Sequence, residues 1–121
     1  MKTIKLHKFK PSNVPIFTGR PQGEAVRIKL NLDECDSDKN CLINFIIPGD
    51  IISFNPSFYL GLFFKSYKKL SIEGFNQKYK FEIESDDEDI KRVILKDLED
   101  GKRNAINSLK NPNSSFGNFF N

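Results

Sequence analysis

The clearest alternation of apolar and polar residues lies in the segment 78–84, in the second half of the chain. Its aromatic and aliphatic residues fall on one side and its charged residues on the other, which predicts a half-exposed strand. Residues 42–47 form a nearly continuous apolar run that Pro48 ends, which is typical of a central strand covered on both faces. Residues 3–9 alternate more loosely and predict a first strand at a sheet edge.

A helix is predicted from about residue 56 to residue 70. Asn55 or Ser57 can cap its first amides with a side-chain oxygen, and Pro56 suits the first helical position. One face is apolar at the 3.6-residue spacing of a packed helix, but the other side of the first half is apolar too. Such a helix is either deeply buried or made to contact a partner. We adopt the second interpretation, so the expected partner-binding residues are Phe58, Leu60, Gly61 and Phe64.

The remaining segments complete the fold class. Ser85 and Glu88 have the spacing of a capping box, and the apolar spacing after them predicts an amphipathic helix that ends near Gly101. Residues 24–32 fit both a strand and a helix, and their composition leans slightly to strand. Strands that alternate with helices indicate an α/β protein, with a small mixed β-sheet of about four strands and helices packed on it. We expect a single domain over residues 1–103, followed by a flexible tail rich in Asn, Ser and Phe over residues 104–121.

The composition is that of an ordinary soluble domain. No apolar run in the 121 residues approaches the roughly 20 residues that span a bilayer. The basic N-terminal residues lack the apolar stretch of a secretory signal. We therefore expect a cytoplasmic protein that does not contact a membrane.

The net charge of +3 arises from alternating basic and acidic blocks, so we do not expect nucleic acid to be the main partner. The basic segment 2–29 nevertheless supports an alternative function, that of a nucleic-acid-associated accessory protein. Its Lys and Arg side chains would contact phosphates, while Phe9 and Phe17 would stack on bases.

The inventory of chemical groups is small, which favours a binding module over an enzyme. His7 is the only histidine, and we interpret it as a surface residue. Cys35 and Cys41 are expected to be reduced, because disulfides are rare in the cytosol. The acidic stretch between them begins like a calcium loop, but it has Cys41 at the glycine position and Ile47 at the glutamate position. We expect no metal, no other cofactor and no catalytic activity.

Three segments resemble the STAS-like domain family, small bacterial domains of uncharacterised role that are similar to anti-sigma-factor antagonists. The first carries Gly19, Arg20, Gly23, Glu24 and Arg27, which resemble the family's opening motif. The second runs from 43 to 63 and resembles a strand, a turn and a helix that opens with Ser-Phe. The third comprises residues 75–83 and the helix after them, so the resemblance covers about 85 of 121 residues.

The resemblance implies that residues 24–32 are helical and that the protein is a regulatory, protein-binding module. In the antagonists, a serine at the start of the helix after the central strand is phosphorylated by a kinase-like ATPase that is also the partner. By position, Ser57 corresponds best to this phosphoacceptor and Ser53 is second. The resemblance therefore implies partner switching controlled by phosphorylation; the alternative is that Ser57 is only a helix cap.

Overall fold

The structure, a computed structural model, describes residues 1–9 and 16–110. The strands are β1 (Lys2–Lys5), β2 (Ile16–Phe17), β3 (Ile43–Ile47), β4 (Ser53–Phe54) and β5 (Tyr79–Ile83). The helices are α1 (Arg20–Leu30), α2 (Leu32–Ser37), α3 (Pro56–Lys78) and α4 (Glu88–Lys110), and a 3-10 turn, Leu6–Phe9, follows β1. None of the helices in this part of the chain is long and apolar enough to cross a membrane.

The three longer strands form one sheet in the order β1-β3-β5, so the predicted central strand is confirmed. Every strand pairing in the described residues is parallel, and the expectation of a mixed sheet is wrong. Parallel neighbours need a crossover, and helices supply it between β1 and β3 and between β3 and β5. The α/β class is therefore correct, but the helices contribute more of the chain than the sheet does.

A second, two-stranded sheet pairs β2 with β4, aligning Phe17 with Phe54. Each of these strands has only two residues, which is too short to show a period of two in the sequence. Both aromatic rings are fully buried and lie against Phe58 at the start of α3, with ring centroids 5.0 and 5.2 Å away.

Residues 24–30 belong to α1, so the slight preference for a strand was wrong and the helix that the resemblance implied is present. The buried residues of α1 are Gly23, Val26 and Arg27, which share one helical face. Because one of them carries a charge and another has no side chain, the apolar pattern of this face is hidden in the sequence. Asn31, at φ 55° and ψ 47°, ends α1 and separates it from α2.

Helix α3 begins at Pro56 as predicted, but it extends to Lys78 with a break at Ser71 (φ 68°, ψ 173°). Its Phe63 lies at the centre of the core. The ring centroids of Phe45, Phe75 and Phe81 are 5.2–5.5 Å from that of Phe63. Phenylalanine thus supplies the core in a chain that has no tryptophan.

The predicted ends of the last helix were both wrong. Asp87 rather than Ser85 caps α4, since its carboxylate accepts the amides of Asp89 (2.9 Å) and Ile90 (3.2 Å). Gly101 lies within the helix, where an added Cβ would be 2.6 Å from Cγ of Tyr59, so it permits close packing and does not end the helix. Residues 104–110 are helical, while residues 111–121 of the predicted tail lie outside the described part of the chain.

Candidate functional site

Two helices begin side by side at one edge of the β2–β4 pair. Because β2 and β4 are parallel and in register, their carboxyl ends meet at the same edge, and α1 and α3 start immediately beyond it. The amide of Asn55 donates to the carbonyl of Phe17 (2.8 Å), which ties the cap of α3 to the end of β2. This edge brings together Gly19 and Ser57, which are 38 residues apart in sequence.

The Ser57 hydroxyl lies between the two helix starts. Its Oγ accepts a hydrogen bond from the Gly19 amide (3.3 Å) and donates to Oδ1 of Asn55 (2.5 Å). The same Oδ1 accepts the Ser57 amide (2.8 Å), so Asn55 is the helix cap. Gly19 has φ 90°, a conformation that disfavours any other residue. Ser57 is exposed to solvent and is not needed as the cap.

The first turns of α1 and α3 touch through glycine on both sides. A Cβ at Gly23 would overlap the carbonyl oxygen of Phe58, and one at Gly61 would overlap the carbonyl oxygen of Arg20. Neither backbone could approach so closely with a side chain present. The two glycines that the sequence analysis assigned to a motif and to a partner surface therefore hold the helix pair together.

The expectation that the apolar first half of α3 faces outward is wrong. Phe58 is fully buried, Gly61 is covered by α1, and Phe64 is only 9% exposed. Leu60 is partly buried and packs against the core. The alternative of deep burial applies, because α1 lies over the side of α3 that was taken as free. The structure therefore does not support partner binding through these four residues.

The outward-facing motif residues are Arg20 and Glu24. Their side chains form a loose i,i+4 ion pair (3.7 Å) and are 37% and 53% exposed. The Arg20 guanidinium also lies over the ring of Phe64, 5.6 Å from its centroid. With exposed Ser57, whose hydroxyl is bonded to the Gly19 amide directly before Arg20, these two residues form what we call the helix-start surface.

Arg27 is a structural residue. Its side chain is 5% exposed, and all five of its N–H groups donate hydrogen bonds. Nε and Nη2 both donate to Oδ1 of Asp33 (3.1 and 2.7 Å), and Nη2 also donates to Oδ2 of Asp36 (2.6 Å). Nη1 donates to the carbonyl of Leu62 (3.0 Å) and to Oγ of Ser66 (2.8 Å). No donor remains for a ligand.

Asp36 is the acceptor at the centre of this network. Its carboxylate also accepts the hydroxyls of Ser66 (2.8 Å) and Tyr79 (2.5 Å), so it joins α2 to α1, α3 and β5. Burial, then the hydrogen bond to Asp36, raise the pKa of Tyr79 far above its ordinary value. The hydrogen bond from Arg27 lowers the pKa of exposed Asp33. In the sequence, Asp36 belongs to the acidic stretch that begins like a calcium loop, and no local pattern indicates its burial.

A surface cavity of about 310 Å³ lies beside the network and includes Glu24, Asp33 and Lys65 in its lining. A polar pocket with arginine and carboxylates would suit an unfamiliar enzyme, but Arg27 is fully committed to the protein itself. Within residues 1–9 and 16–110, no group of three metal-ligating side chains comes together. His7 is exposed and pairs with Glu84 (2.7 Å).

The second candidate phosphoacceptor, Ser53, is half-buried and donates to Oδ2 of Asp97 (3.2 Å). That carboxylate also accepts the amide of Phe54 (2.9 Å). A phosphate on Ser53 would face the negative charge of Asp97, so this position is unfavourable for phosphorylation.

The structure gives little support to the nucleic-acid alternative. Phe17 is fully buried and cannot stack on a base, and Arg27 is buried and paired. Phe9 is half-buried and packs against the core.

The expectation of two reduced cysteines is contradicted, since Cys35 and Cys41 form a disulfide. The chain turns back after α2 and brings their Cα atoms to 5.4 Å, within the range that disulfides require.

Comparison with known protein families, with curated proteins and with solved structures found no match in any of the three. The STAS-like resemblance therefore stays a prediction from the sequence.

Proposed function

We propose that this chain is a non-enzymatic regulatory module whose partner binding is controlled by phosphorylation of Ser57. The observation that carries the proposal is the position of the Ser57 hydroxyl, which is exposed and lies where α1 and α3 both begin. A kinase can reach an exposed hydroxyl, and a phosphate on it would lie next to the N-termini of both helices.

The electrostatics of this position favour a phosphate. A helix carries partial positive charge at its N-terminus, and anions there are stabilised by about 0.3–1 kcal/mol in an exposed setting. Ser57 is in the first turn of α3 and already receives the Gly19 amide from the start of α1. A phosphate would add about −1.5 to −2 charges to this surface.

The surface that a partner would contact differs from the one predicted from the sequence. With Phe58, Gly61 and Phe64 buried, we place the partner on the helix-start surface, which offers Arg20 and Glu24 beside Ser57. A phosphate next to the Arg20–Glu24 pair would repel the glutamate and attract the arginine, so the charge pattern that the partner meets would change. By analogy with the resembling family, the partner is a kinase-like ATPase.

The absence of enzymatic activity and the cytoplasmic location are parts of the same proposal. The first is supported by the Arg27–Asp36 network, the densest polar cluster among the described residues, because its donors are saturated by the protein.

Affinity capture from the cells that make the protein tests the proposal. Wild type, Ser57→Ala and Ser57→Asp serve as bait, with Ser37→Asp as a control at an exposed serine on α2. We expect Ser57→Asp to change the amount of one specific partner at least tenfold, while Ser37→Asp does not. Equal recovery of that partner by all four baits would contradict the switch.

A further inference from the structure

The disulfide joins the only two cysteines of the chain, and it closes a short acidic loop. Cys35 belongs to α2 and is 7% exposed, whereas Cys41 precedes β3 and is more accessible. Both line a surface cavity of about 170 Å³, which also includes Glu34 and Asp38. The bond is therefore next to solvent on its Cys41 side and is not sealed in the core.

The disulfide is next to the buried network in the sequence. Asp36 directly follows Cys35, and both belong to α2, which has only six residues. A helix of this length is not stable by itself, so its position depends on its attachments. Those attachments are the disulfide, the buried side chain of Leu32, and the bonds that Asp33 and Asp36 make to Arg27. Asp36 also accepts the hydroxyls of Ser66 and Tyr79.

The far end of the loop has its own anchor. The buried Lys78 ammonium donates to the carbonyls of Asp38 (2.6 Å) and Cys41 (2.8 Å). This anchor does not depend on the sulfur atoms. Opening the disulfide would leave Cys41 and Asp38, the residue directly after α2, in place on Lys78. Helix α2 would lose its covalent hold and keep only its noncovalent contacts.

We propose that Cys35 and Cys41 form a reversible thiol–disulfide exchange site, which reacts with low-molecular-weight thiols and disulfides. Its state sets how firmly α2 holds Asp36 on Arg27. The bonded form fixes α2, and the reduced form lets α2 open locally while α3 and the sheet stay folded.

The exchange uses two equivalents of thiol. A thiolate attacks Sγ of Cys41, the S–S bond breaks, and Cys35 leaves as a thiolate that takes up a proton. A second thiolate attacks the sulfur of the bound reagent, releases the protein's Cys41 thiolate, which is protonated in turn, and forms the reagent disulfide. The protein disulfide gains two electrons and two protons, and the two thiols lose them. Oxidation is the reverse, with a low-molecular-weight disulfide as the oxidant.

The test incubates the full chain in buffers with different ratios of reduced to oxidised glutathione. Their redox potentials cover the range from the reducing cytosol to the oxidising secretory compartments. Free thiols are trapped by alkylation and counted by mass spectrometry, and amide exchange is followed in parallel. We expect conversion between zero and two free thiols within the folded protein. We expect faster amide exchange in α2 on reduction, by a factor of up to roughly 50, the loop-closure value for so short a loop.

Tyrosine fluorescence supplies a second readout, because Tyr79 donates to Asp36 and a carboxylate acceptor quenches tyrosine emission. Emission should rise on reduction, and the rise should be smaller in Asp36→Asn, which lacks the carboxylate, because only the loss of quenching by the disulfide itself remains in that variant. The double variant Cys35→Ser/Cys41→Ser should show the reduced pattern in every buffer.

Three results would each overturn the proposal. The disulfide could resist reduction until the whole domain unfolds, which would make it a purely structural bond. The thiols could fail to pair even in oxidised glutathione. Reduction could also leave α2 exchange unchanged and raise emission equally in wild type and Asp36→Asn, which would show that the bond is not coupled to the network.

Discussion

Replacing Asp36 with asparagine tests whether the buried network holds the helix pair together. The substitution keeps the size of the side chain and removes its charge. It leaves the Arg27 guanidinium, which is 5% exposed, facing an amide in place of a carboxylate. The remaining carboxylate, Asp33, is 76% exposed and cannot replace a buried counter-charge.

The expected cost follows from this geometry. Removing one partner of a buried ion pair costs about 3–5 kcal/mol. Because Asp33 still accepts two bonds from Arg27, we expect the lower end, about 3 kcal/mol. For a domain of this size, with a urea m-value of roughly 2 kcal/mol per M, the unfolding midpoint falls by about 1.5 M.

Urea unfolding followed by circular dichroism measures the effect, and Asp33→Asn is the matched control. That variant removes a carboxylate bonded to the same guanidinium, but an exposed one, so its cost should not exceed about 1 kcal/mol. If the two variants lowered the midpoint equally, the network would not be a buried anchor and our interpretation of Arg27 would be refuted.

Three further predictions follow from the packing. Gly61→Ala should destabilise the protein by about 1–3 kcal/mol or more, because the added Cβ would overlap the carbonyl oxygen of Arg20 in α1. Gly74→Ala should cost less, because the added Cβ would lie 3.2 Å from Cβ of Leu70, a tight contact without overlap; equal thermal melts would contradict the close helix contact. Asn55→Ala should cost about 1 kcal/mol in urea unfolding through loss of the α3 cap, and an unchanged midpoint would show that the cap contributes nothing. The chain's three tyrosines are all buried, and burial raises the pKa of each, that of Tyr67 to about 12. Because the pKa values are raised in the folded state, the contribution of the tyrosines to stability is complete below pH 10 and falls above it. Ultraviolet absorbance should therefore show no tyrosine ionisation near pH 10.0, only a single step that coincides with unfolding. A separate ionisation near pH 10.0 would contradict the burial of the tyrosines.

The sequence predicts well those elements that a local pattern of apolar residues or a helix cap determines. The alternation at 78–84 gives β5, the apolar run gives β3, and Asn55-Pro56 gives the start of α3. The start of α1 was missed because glycine and a buried arginine occupy the face that packs on α3. Helices are recognised in a sequence by the spacing of apolar residues, and neither glycine nor arginine counts as apolar in such a pattern.

The candidate site depends on contacts between distant segments, which no local pattern reveals. Gly19 meets Ser57 only because β2 and β4 align, and each of those strands has two residues. The apolar pattern of α3 left deep burial and contact with a partner as alternatives, and the choice of a partner surface was wrong. The sequence could not show that the cover is α1 of the same chain, because that depends on the glycine contact between the helices. The expectation of reduced cysteines rested on the cellular compartment. The disulfide forms because the turn after α2 brings the two cysteines together, and no local pattern shows this.

Mapping phosphate by mass spectrometry, on the protein isolated from the cells that make it, tests the central claim most directly. We predict phosphate on Ser57 and none on Ser53, which faces Asp97. A Ser57 that carries no phosphate in any growth state, or a phosphate found on Ser53 in its place, would contradict it.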